Sequence, residues 1–127
     1  MGFKKVDVKT LEMKPFEKIG SEWMLISAAK DGKANTMTAS WGGIGVLWGK
    51  NVATVYIRPQ RHTKEFVDAG DTFTISFFGG EHMKELGYLG KVSGKDVPDK
   101  IEQSGLHLTE VDGQPGFEEA GMQKALP

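Results

Sequence analysis

The sequence contains 127 residues, 39% of them hydrophobic and 26% charged, which suits one globular domain with a buried core and excludes two full ones. With 16 basic and 17 acidic residues the net charge is −1, so no overall field favours nucleic acid or an anionic membrane as a partner. No cysteine is present, which excludes disulfide bonds and thiolate chemistry.

Residues 1–7 lack the apolar region of a signal peptide, and no apolar run approaches the ~20 residues that span a bilayer. We therefore expect a cytoplasmic protein without a membrane segment. The sequence also contains no internal repeat and no low-complexity segment, so a single domain over residues 1–127 is expected.

The first predicted elements are a helical turn and a hairpin. Lys14–Gly20 indicates a helical turn that begins with proline and ends at glycine. Trp23–Ala29 is an apolar run typical of a buried strand, and Asp31-Gly32 after it is a strong hairpin signal. The stretch Asn35–Gly43 is therefore predicted to be the second strand of that hairpin.

The middle of the chain predicts a turn, a strand and a helix. Gly49–Asn51 is predicted to be the turn, and Val52–Ile57 is rich in β-branched residues, which favours a strand. Arg58–His62 ends this strand, because proline cannot continue a ladder at a central position. We expect Thr63 to cap a short helix over Lys64–Ala69.

The remaining elements are short as well. Thr72–Phe78 alternates apolar and polar residues, which predicts a half-buried strand, and His82–Leu89 is predicted to be a helix. A polar loop at Ser93–Pro98 precedes a last short helix, Asp99–Ser104, and a strand at Leu106–Glu110. Four or five strands, interrupted by helices that do not alternate regularly with them, indicate an antiparallel barrel with peripheral helices.

The second strand of the hairpin carries an unusual run of small hydrogen-bonding side chains, followed by a pair of glycines. These residues are Asn35, Thr36, Thr38, Ser40, Gly42 and Gly43. Glycine lets a second molecule approach the backbone closely, so the run suits a flat ligand with polar edges lying along a strand end. The alternative is a threonine-rich edge strand that ends in a glycine turn.

Two arginines and a hydroxyl group meet where the middle helix is predicted to begin. Arg58, Arg61 and Thr63 could hold an anion, because helix N-termini attract negative charge and arginine forms charge-assisted hydrogen bonds with phosphate oxygens. A monophosphate would suit this arrangement. The alternative is a proline turn with solvated arginines before a threonine-capped helix.

Other cofactor sites are disfavoured. Trp48 occupies the position where a dinucleotide-binding motif that starts at Gly43 needs its third glycine, and Ile44 and Asn51 break the phosphate-loop motif. The three histidines show no metal-ligand spacing, and no catalytic pair of residues is evident; the histidines are His62, His82 and His107.

Four segments together resemble the flavin reductase-like and flavoredoxin family of FMN-binding split-barrel proteins: Asn35–Trp41, Ile57–Thr63, the strand that ends at Phe78, and Ser93–Val97. The resemblance runs from about residue 15 to residue 108. It implies a mainly β fold, a Greek-key split β-barrel with short peripheral helices, which forms a homodimer and binds FMN at the dimer interface.

The end of the chain departs from this family. Relatives usually continue beyond residue 127 with strands that complete the barrel, whereas this chain is predicted to stop in a loop-like stretch after Phe117. We therefore expect that C-terminal strands seen in relatives are missing.

The resemblance also implies which residues contact FMN. Thr38, Ala39, Ser40 and Trp41 would lie along the edge of the isoalloxazine ring, with Asn35, Thr36 and Met37 beside them. The phosphate would be held by Arg58, Arg61, His62 and Thr63. Lys95 would add a polar contact, which the partner subunit could supply.

Three functions remain open on the sequence. The first is a flavin reductase that passes electrons from NADH or NADPH to the flavin, with the protein orienting the rings. The second is a flavoredoxin-type electron carrier with tightly bound FMN and a protein redox partner. The third is a binding module without flavin on the same barrel, since fold does not dictate function.

Overall fold

A computed structural model describes residues 3–127; Met1 and Gly2, within the segment predicted to lack a signal peptide, lie outside the described residues. Strands dominate the fold, and short helices surround them. In chain order the elements are α1 Pro15–Gly20, β1 Met24–Lys30, β2 Lys33–Ala39, β3 Gly42–Leu47, β4 Lys50–Val55, α2 Thr63–Ala69, β5 Phe73–Phe77, α3 Met83–Lys91, α4 Lys100–Ser104, β6 Leu108–Val111, β7 Gln114–Phe117 and β8 Met122–Leu126.

The central sheet has the antiparallel order β2-β1-β5-β8, and two separate hairpins, β3–β4 and β6–β7, pack around it. The predicted β1–β2 hairpin is confirmed, with Lys30 paired to Lys33 across a turn. Its turn residues, Asp31 and Gly32, have φ values of 53° and 74°, which is the geometry of the tight turn favoured in hairpins. A mainly β fold with short helices is thus confirmed.

The second hairpin turns earlier than predicted. Trp48 and Gly49 both have positive φ, so they form the turn, and Lys50 already pairs with Leu47. The predicted turn at Gly49–Asn51 and the strand at Val52–Ile57 were therefore placed one to two residues too late. A bulky tryptophan rarely adopts the left-handed conformation of such a turn, and this is why the turn was predicted after Trp48 and not at it.

The C-terminal segment is not a loop, and this prediction was wrong. β7 forms a hairpin with β6, and β8 joins the central sheet beside β5, from Phe73↔Leu126 to Phe77↔Met122. The structure therefore has eight strands among residues 3–127, rather than four or five. Pro115 and Gly116 within β7 are poor strand formers and concealed the segment from the sequence pattern.

Two apolar clusters cover the two faces of the central sheet. The first cluster packs α3 and α4 against β1, and its fully buried members are Leu25, Phe78, Leu86, Leu89 and Phe117. The second cluster packs β3–β4 and α2 against the other face. Its buried members are Ile19, Met24, Ile26, Met37, Ala39, Ile75 and Phe77.

The strand β5 is buried on both faces rather than on one as predicted. Its polar residues Thr74 and Ser76 are fully buried, and the apolar residues Ile75 and Phe77 are buried as well. The Ser76 hydroxyl donates to Gln123 Oε1 at 2.9 Å, so the unforeseen strand β8 supplies both the cover and the hydrogen-bond partner.

The predicted helices are present with shifted ends. α2 begins at Thr63 rather than Lys64, His62 is its N-cap residue, and the Thr63 hydroxyl does not cap it, so the capping prediction was wrong. Helix α3 begins and ends later than predicted, while α4 ends at Ser104 before Gly105 in the left-handed conformation, as expected. No helix within residues 3–127 has the length and apolar character required to cross a membrane.

Candidate functional site

Three parts of the chain meet beside Asn35 on β2, the edge strand of the central sheet. The Asn35 Nδ2 donates to the Thr63 hydroxyl on α2 at 3.0 Å, and both side chains are buried. Gly94 presses against the same side chain, because a Cβ built on it would lie 2.4 Å from Asn35 Oδ1. The stretch of residues 92–99, here called the Gly94 loop, is thereby brought next to α2 and β2.

Two arginines stand at the entrance of α2. Arg61 is partly buried, and burial lowers its pKa, with a further lowering from the nearby charge of Arg58. The two guanidinium groups therefore lie close enough to repel each other. Neither forms an ion pair with a carboxylate in the described part of the chain.

A third cation joins this end, and it was not predicted. Lys100, the first residue of α4, is only 2% exposed, and its Nζ donates to the carbonyl oxygens of Leu89 at 3.0 Å and Val92 at 2.7 Å. Burial lowers the pKa of Lys100 from 10.5 to about 8, with a further lowering from the charge of Arg61. The charges of Arg58, Arg61 and Lys100 therefore act on one another, Arg58 on Arg61 and Arg61 on Lys100.

We call Arg58, Arg61 and Lys100 the cation cluster. Arg58 is exposed, Arg61 is partly buried and Lys100 is buried, and none of them forms an ion pair with a carboxylate among residues 3–127. A phosphate group, with oxygens that accept charge-assisted hydrogen bonds, fits this donor set. Conventional helix-end binding adds little here, since α2 is short and Thr63 is buried.

The remaining residues predicted at this end differ in placement. His62 Nδ1 lies 2.7 Å from Glu65 Oε2 without being aligned for a hydrogen bond, and its ring packs edge-on against Phe66. Lys95 lies in the Gly94 loop with its side chain exposed, and its backbone N–H donates to Ser93 Oγ at 3.1 Å. His62 is thus next to Arg61 in the chain, and Lys95 follows Gly94, which lies against Asn35.

Most side chains of the polar strand are used within the protein. The Thr36 hydroxyl donates to Ile26 O at 3.1 Å and pairs with the Ser27 hydroxyl at 2.8 Å, while Met37 and Ala39 are core residues. These side chains face away from any external ligand. Among residues 3–127, β2 pairs with β1 and with no other strand, so its outer backbone edge is what this strand offers to a ligand.

The far end of β2 borders a shallow hollow of about 330 Å³. The hollow is lined by Trp23, Thr38, Ser40, Leu86, Gly87, Gly90 and Lys91. Thr38 Oγ1 donates to Leu86 O at 2.5 Å, and a Cβ on Gly90 would lie 3.0 Å from Thr38 Cβ. Glycines on the α3 side therefore keep the hollow open. Trp41 does not line it and has an exposed side chain.

Sequence reasoning missed several residues of these two places. Gly87 and Gly90 are spaced to share one side of α3, a signal that the sequence did contain. Trp23 precedes β1 and has a φ of 71°, and no local sequence motif predicts this left-handed conformation for a tryptophan. The burial of Lys100 could not be predicted from the sequence either, because lysine is rarely buried.

The β3–β4 hairpin presents an exposed apolar surface outside the second cluster. Trp48, at its tip, is 93% exposed and Val46 is 71% exposed. We call this surface the hairpin patch. Its other members, all at least partly exposed, are Ile44, Leu47 and the neighbouring Trp41 and Tyr56.

Comparison with solved structures identifies the fold. A protein of Shewanella baltica OS155, described as an FMN-binding domain of a flavin reductases-like enzyme, superposes with a TM-score of 0.76 at 22% identity, covering 87% of this chain and 59% of that one. The chain has the flavin reductase-like split-barrel fold. The predicted Greek-key split β-barrel is thus confirmed as the fold class.

Other split-barrel proteins agree with this assignment. Flavoredoxin of Desulfovibrio vulgaris (Miyazaki F) gives a TM-score of 0.69 at 23% identity over 93% of this chain and 62% of its own. Flavoredoxin of Methanosarcina acetivorans gives 0.69 at 21% identity, over 98% and 63%. The chain thus spans about three fifths of the split-barrel proteins it matches.

In sequence, an uncharacterized protein of Aeropyrum pernix is 27% identical over 99 residues, which cover 76% of this chain and 37% of that protein. No family model matches the chain. The comparisons therefore establish the split-barrel fold, and the function has to be argued from the site.

Proposed function

We propose that this chain is an FMN-binding flavoprotein of the flavin reductase-like family, with the flavin phosphate at the cation cluster. The observation that carries the proposal is the gathering of Arg58, Arg61 and Lys100 without a neutralising carboxylate among residues 3–127. The positive charges of a partly buried Arg61 and a buried Lys100 are costly unless an anion compensates them.

The path of the ligand follows the outer edge of β2. Asn35 marks the phosphate end and Ser40 the hollow at the other end. Five residues of extended chain span roughly 17 Å at about 3.3 Å each, which suits an elongated ligand with a phosphate at one end and a ring system at the other. In this arrangement the ring lies near Thr38–Trp41, and the sugar-like chain passes the Gly94 loop.

The protein contributes binding and orientation to the proposed reaction. A bound FMN would supply the redox chemistry, with electrons from NADH or NADPH. The Arg58 and Arg61 guanidinium groups would fix the phosphate, and the β2 backbone edge would orient the ring through its unpaired N–H and C=O groups. The hollow beside Gly87 and Gly90 leaves room above α3 for a flat ring.

We also propose that the protein works as a homodimer joined through the hairpin patch. An apolar surface with a fully exposed tryptophan at its tip is costly in water unless a partner covers it. A second copy would offer the same apolar surface around a two-fold axis. Such a partner would bring exposed groups such as Lys95 toward the neighbouring site. A cytoplasmic location remains a prediction from the sequence.

The decisive experiment is the visible spectrum of freshly purified protein, before and after NADH or NADPH is added without oxygen. A yellow protein that bleaches rapidly is the expected result for the reductase. A yellow protein that does not bleach with either nucleotide would instead indicate a flavoredoxin-type carrier with a protein partner. A colourless protein that does not bind added FMN would refute the flavoprotein proposal and leave a binding module without flavin.

A further inference from the structure

The Lys100 ammonium connects α4 to the C-terminal end of α3 through hydrogen bonds, and its lowered pKa lies close to neutral pH. Its two acceptors are Leu89 O in the last turn of α3 and Val92 O at the C-cap of that helix, where carbonyl groups lack partners within the helix. The negative end of the helix favours an ammonium group at this position. Burial and the charge of Arg61 oppose it, and they bring the pKa down to about 8.

The surroundings of Lys100 contain no compensating carboxylate contact among residues 3–127. Asp99, its neighbour in the chain, is exposed and accepts a hydrogen bond from Gln103 at 3.1 Å. Arg61 is the charged group whose field is felt at the ammonium. An ammonium has three N–H donors, and two of them have acceptors in the described structure.

The same ammonium also fixes the start of the Gly94 loop. Val92 O is held by Lys100, and two residues further on Gly94 is pressed against Asn35, which in turn donates to Thr63. If Val92 moved, Gly94 would move with it and would displace the Asn35 side chain, because the two are in close contact. The position of the loop at the phosphate end depends on Lys100.

We propose that Lys100 is a positioning residue of the phosphate end, and that the proton on its ammonium is coupled to the anion bound at Arg61. An anion beside Arg61 offsets the charge that Lys100 experiences and so favours its protonated form. By reciprocity, the protonated ammonium strengthens anion binding. The inference rests on the proposed function in taking FMN as the natural ligand, while the coupling itself can be measured with inorganic phosphate.

The first test is an affinity titration of FMN and riboflavin between pH 7 and pH 9. The FMN phosphate keeps close to two negative charges over this range, since its second pKa is about 6. Wild type should bind FMN about ten-fold more weakly at pH 9 than at pH 7, because free Lys100 loses its proton across this window. Riboflavin, which has no phosphate, should show no such decline.

Two variants test the residue itself. Lys100→Arg keeps a permanent charge, so its FMN affinity should stay constant from pH 7 to pH 9. Lys100→Met removes the charge, so FMN binding should be weaker at pH 7 and equally independent of pH. A decline in Lys100→Met as steep as in wild type would overturn the coupling, and thermal unfolding checks that both variants are folded.

The second test does not require flavin binding. In protein carrying 13C-labelled lysine, NMR titration follows the pKa of Lys100, which is assigned by its loss in Lys100→Met or, if that variant does not fold, in Lys100→Arg. Both Arg61→Met and added inorganic phosphate should raise this pKa. If neither does, the inference fails even where FMN binds; if FMN never binds but the pKa moves, the proposed function fails and the coupling stands.

Discussion

The hairpins β1–β2 and β3–β4 are built alike but are used differently. Each is antiparallel, and each turns on two residues with positive φ: Asp31-Gly32 at 53° and 74°, and Trp48-Gly49 at 54° and 72°. In β1 the first five residues are buried, whereas in β3 the last four are exposed. The first strand of one hairpin is therefore mostly buried by the rest of the chain, whereas the first strand of the other is mostly exposed.

The difference teaches where recognition can occur. The Thr36 hydroxyl and the Asn35 amide are hydrogen-bonded inside the protein. The β1–β2 hairpin therefore supports the segments that carry the cations, which are the residues before α2 and the first residue of α4. The β3–β4 hairpin has apolar side chains without such partners, which is typical of a surface that meets another protein. On the proposed function, ligand binding and assembly therefore use different hairpins.

A charge in the hairpin patch should separate assembly from ligand binding. Val46→Glu places a carboxylate on a side chain that is 71% exposed, so the subunit should still fold. In a symmetric dimer the two carboxylates would oppose each other at a cost of several kcal/mol, which raises the dissociation constant by about 100-fold or more. Sedimentation velocity measures the change.

The matched control is Lys33→Glu, which makes a charge change at the exposed turn end of β2. It should leave the sedimentation profile unchanged. A dimer that survives Val46→Glu would show that the hairpin patch is not the interface.

Loss of Arg61 should weaken one flavin and spare the other. Charge-assisted hydrogen bonds contribute roughly 1.5–3 kcal/mol each, so Arg61→Ala should weaken FMN binding by about one to two powers of ten. Riboflavin binding should barely change, and added salt should weaken FMN more than riboflavin. Fluorescence quenching of both flavins provides the measurement.

Lys64→Ala is the control, because it removes a charge that lies on α2, close to Arg61 in the chain, and is already paired with Asp68 at 2.5 Å. Its effect on FMN should be much smaller. Equal losses of FMN and riboflavin in Arg61→Ala would mean that Arg61 supports the fold and not the phosphate.

Two glycine substitutions compare the packing around the two hairpins, one against β2 and one on β3. A Cβ at Gly94 would lie 2.4 Å from Asn35 Oδ1, whereas a Cβ at Gly45 on β3 meets nothing within 4 Å. Gly94→Ala should therefore lower the free energy of unfolding by about 1–3 kcal/mol, as overpacked sites do. Gly45→Ala should leave it nearly unchanged, and urea unfolding of the two variants measures the contrast. Similar values for both would show that the Asn35 contact yields easily.

The sequence revealed what is local and missed what depends on distant contacts. The β1–β2 turn and the arginines before α2 were visible because short motifs encode them. Lys100 was missed, since its burial depends on α3 carbonyl groups that are near only in the folded chain. The strand β8 was missed because it is short and gains its stability from pairing with β5.

The smallest expected effect concerns the third hairpin, β6–β7, whose contribution to stability should depend on pH. The Glu119 carboxylate closes its open end: Oε1 accepts from the His107 backbone N–H at 2.9 Å, and Oε2 lies 2.5 Å from His107 Nδ1. The hydrogen bond that the His107 ring donates to Glu119, together with the charge of that carboxylate, raises the pKa of His107. Burial acts to raise the pKa of Glu119, but hydrogen bonds from His107 outweigh it and the pKa is lowered.

These shifts have opposite consequences for stability. A raised histidine pKa stabilises the fold below its ordinary value of 6.5 and is lost as pH rises through the folded value. A lowered glutamate pKa stabilises above its ordinary value of 4.5 and is lost as pH falls through the folded value. Glu119→Gln should therefore lower the thermal midpoint most between these two pH values, and less as the pH rises above or falls below them. Asp112→Asn, which removes an exposed contact with Lys5 at 4.0 Å, should change little at any pH. A Glu119→Gln deficit that is constant across pH would show that the backbone hydrogen bond to His107, and not the charge on its ring, holds the hairpin closed.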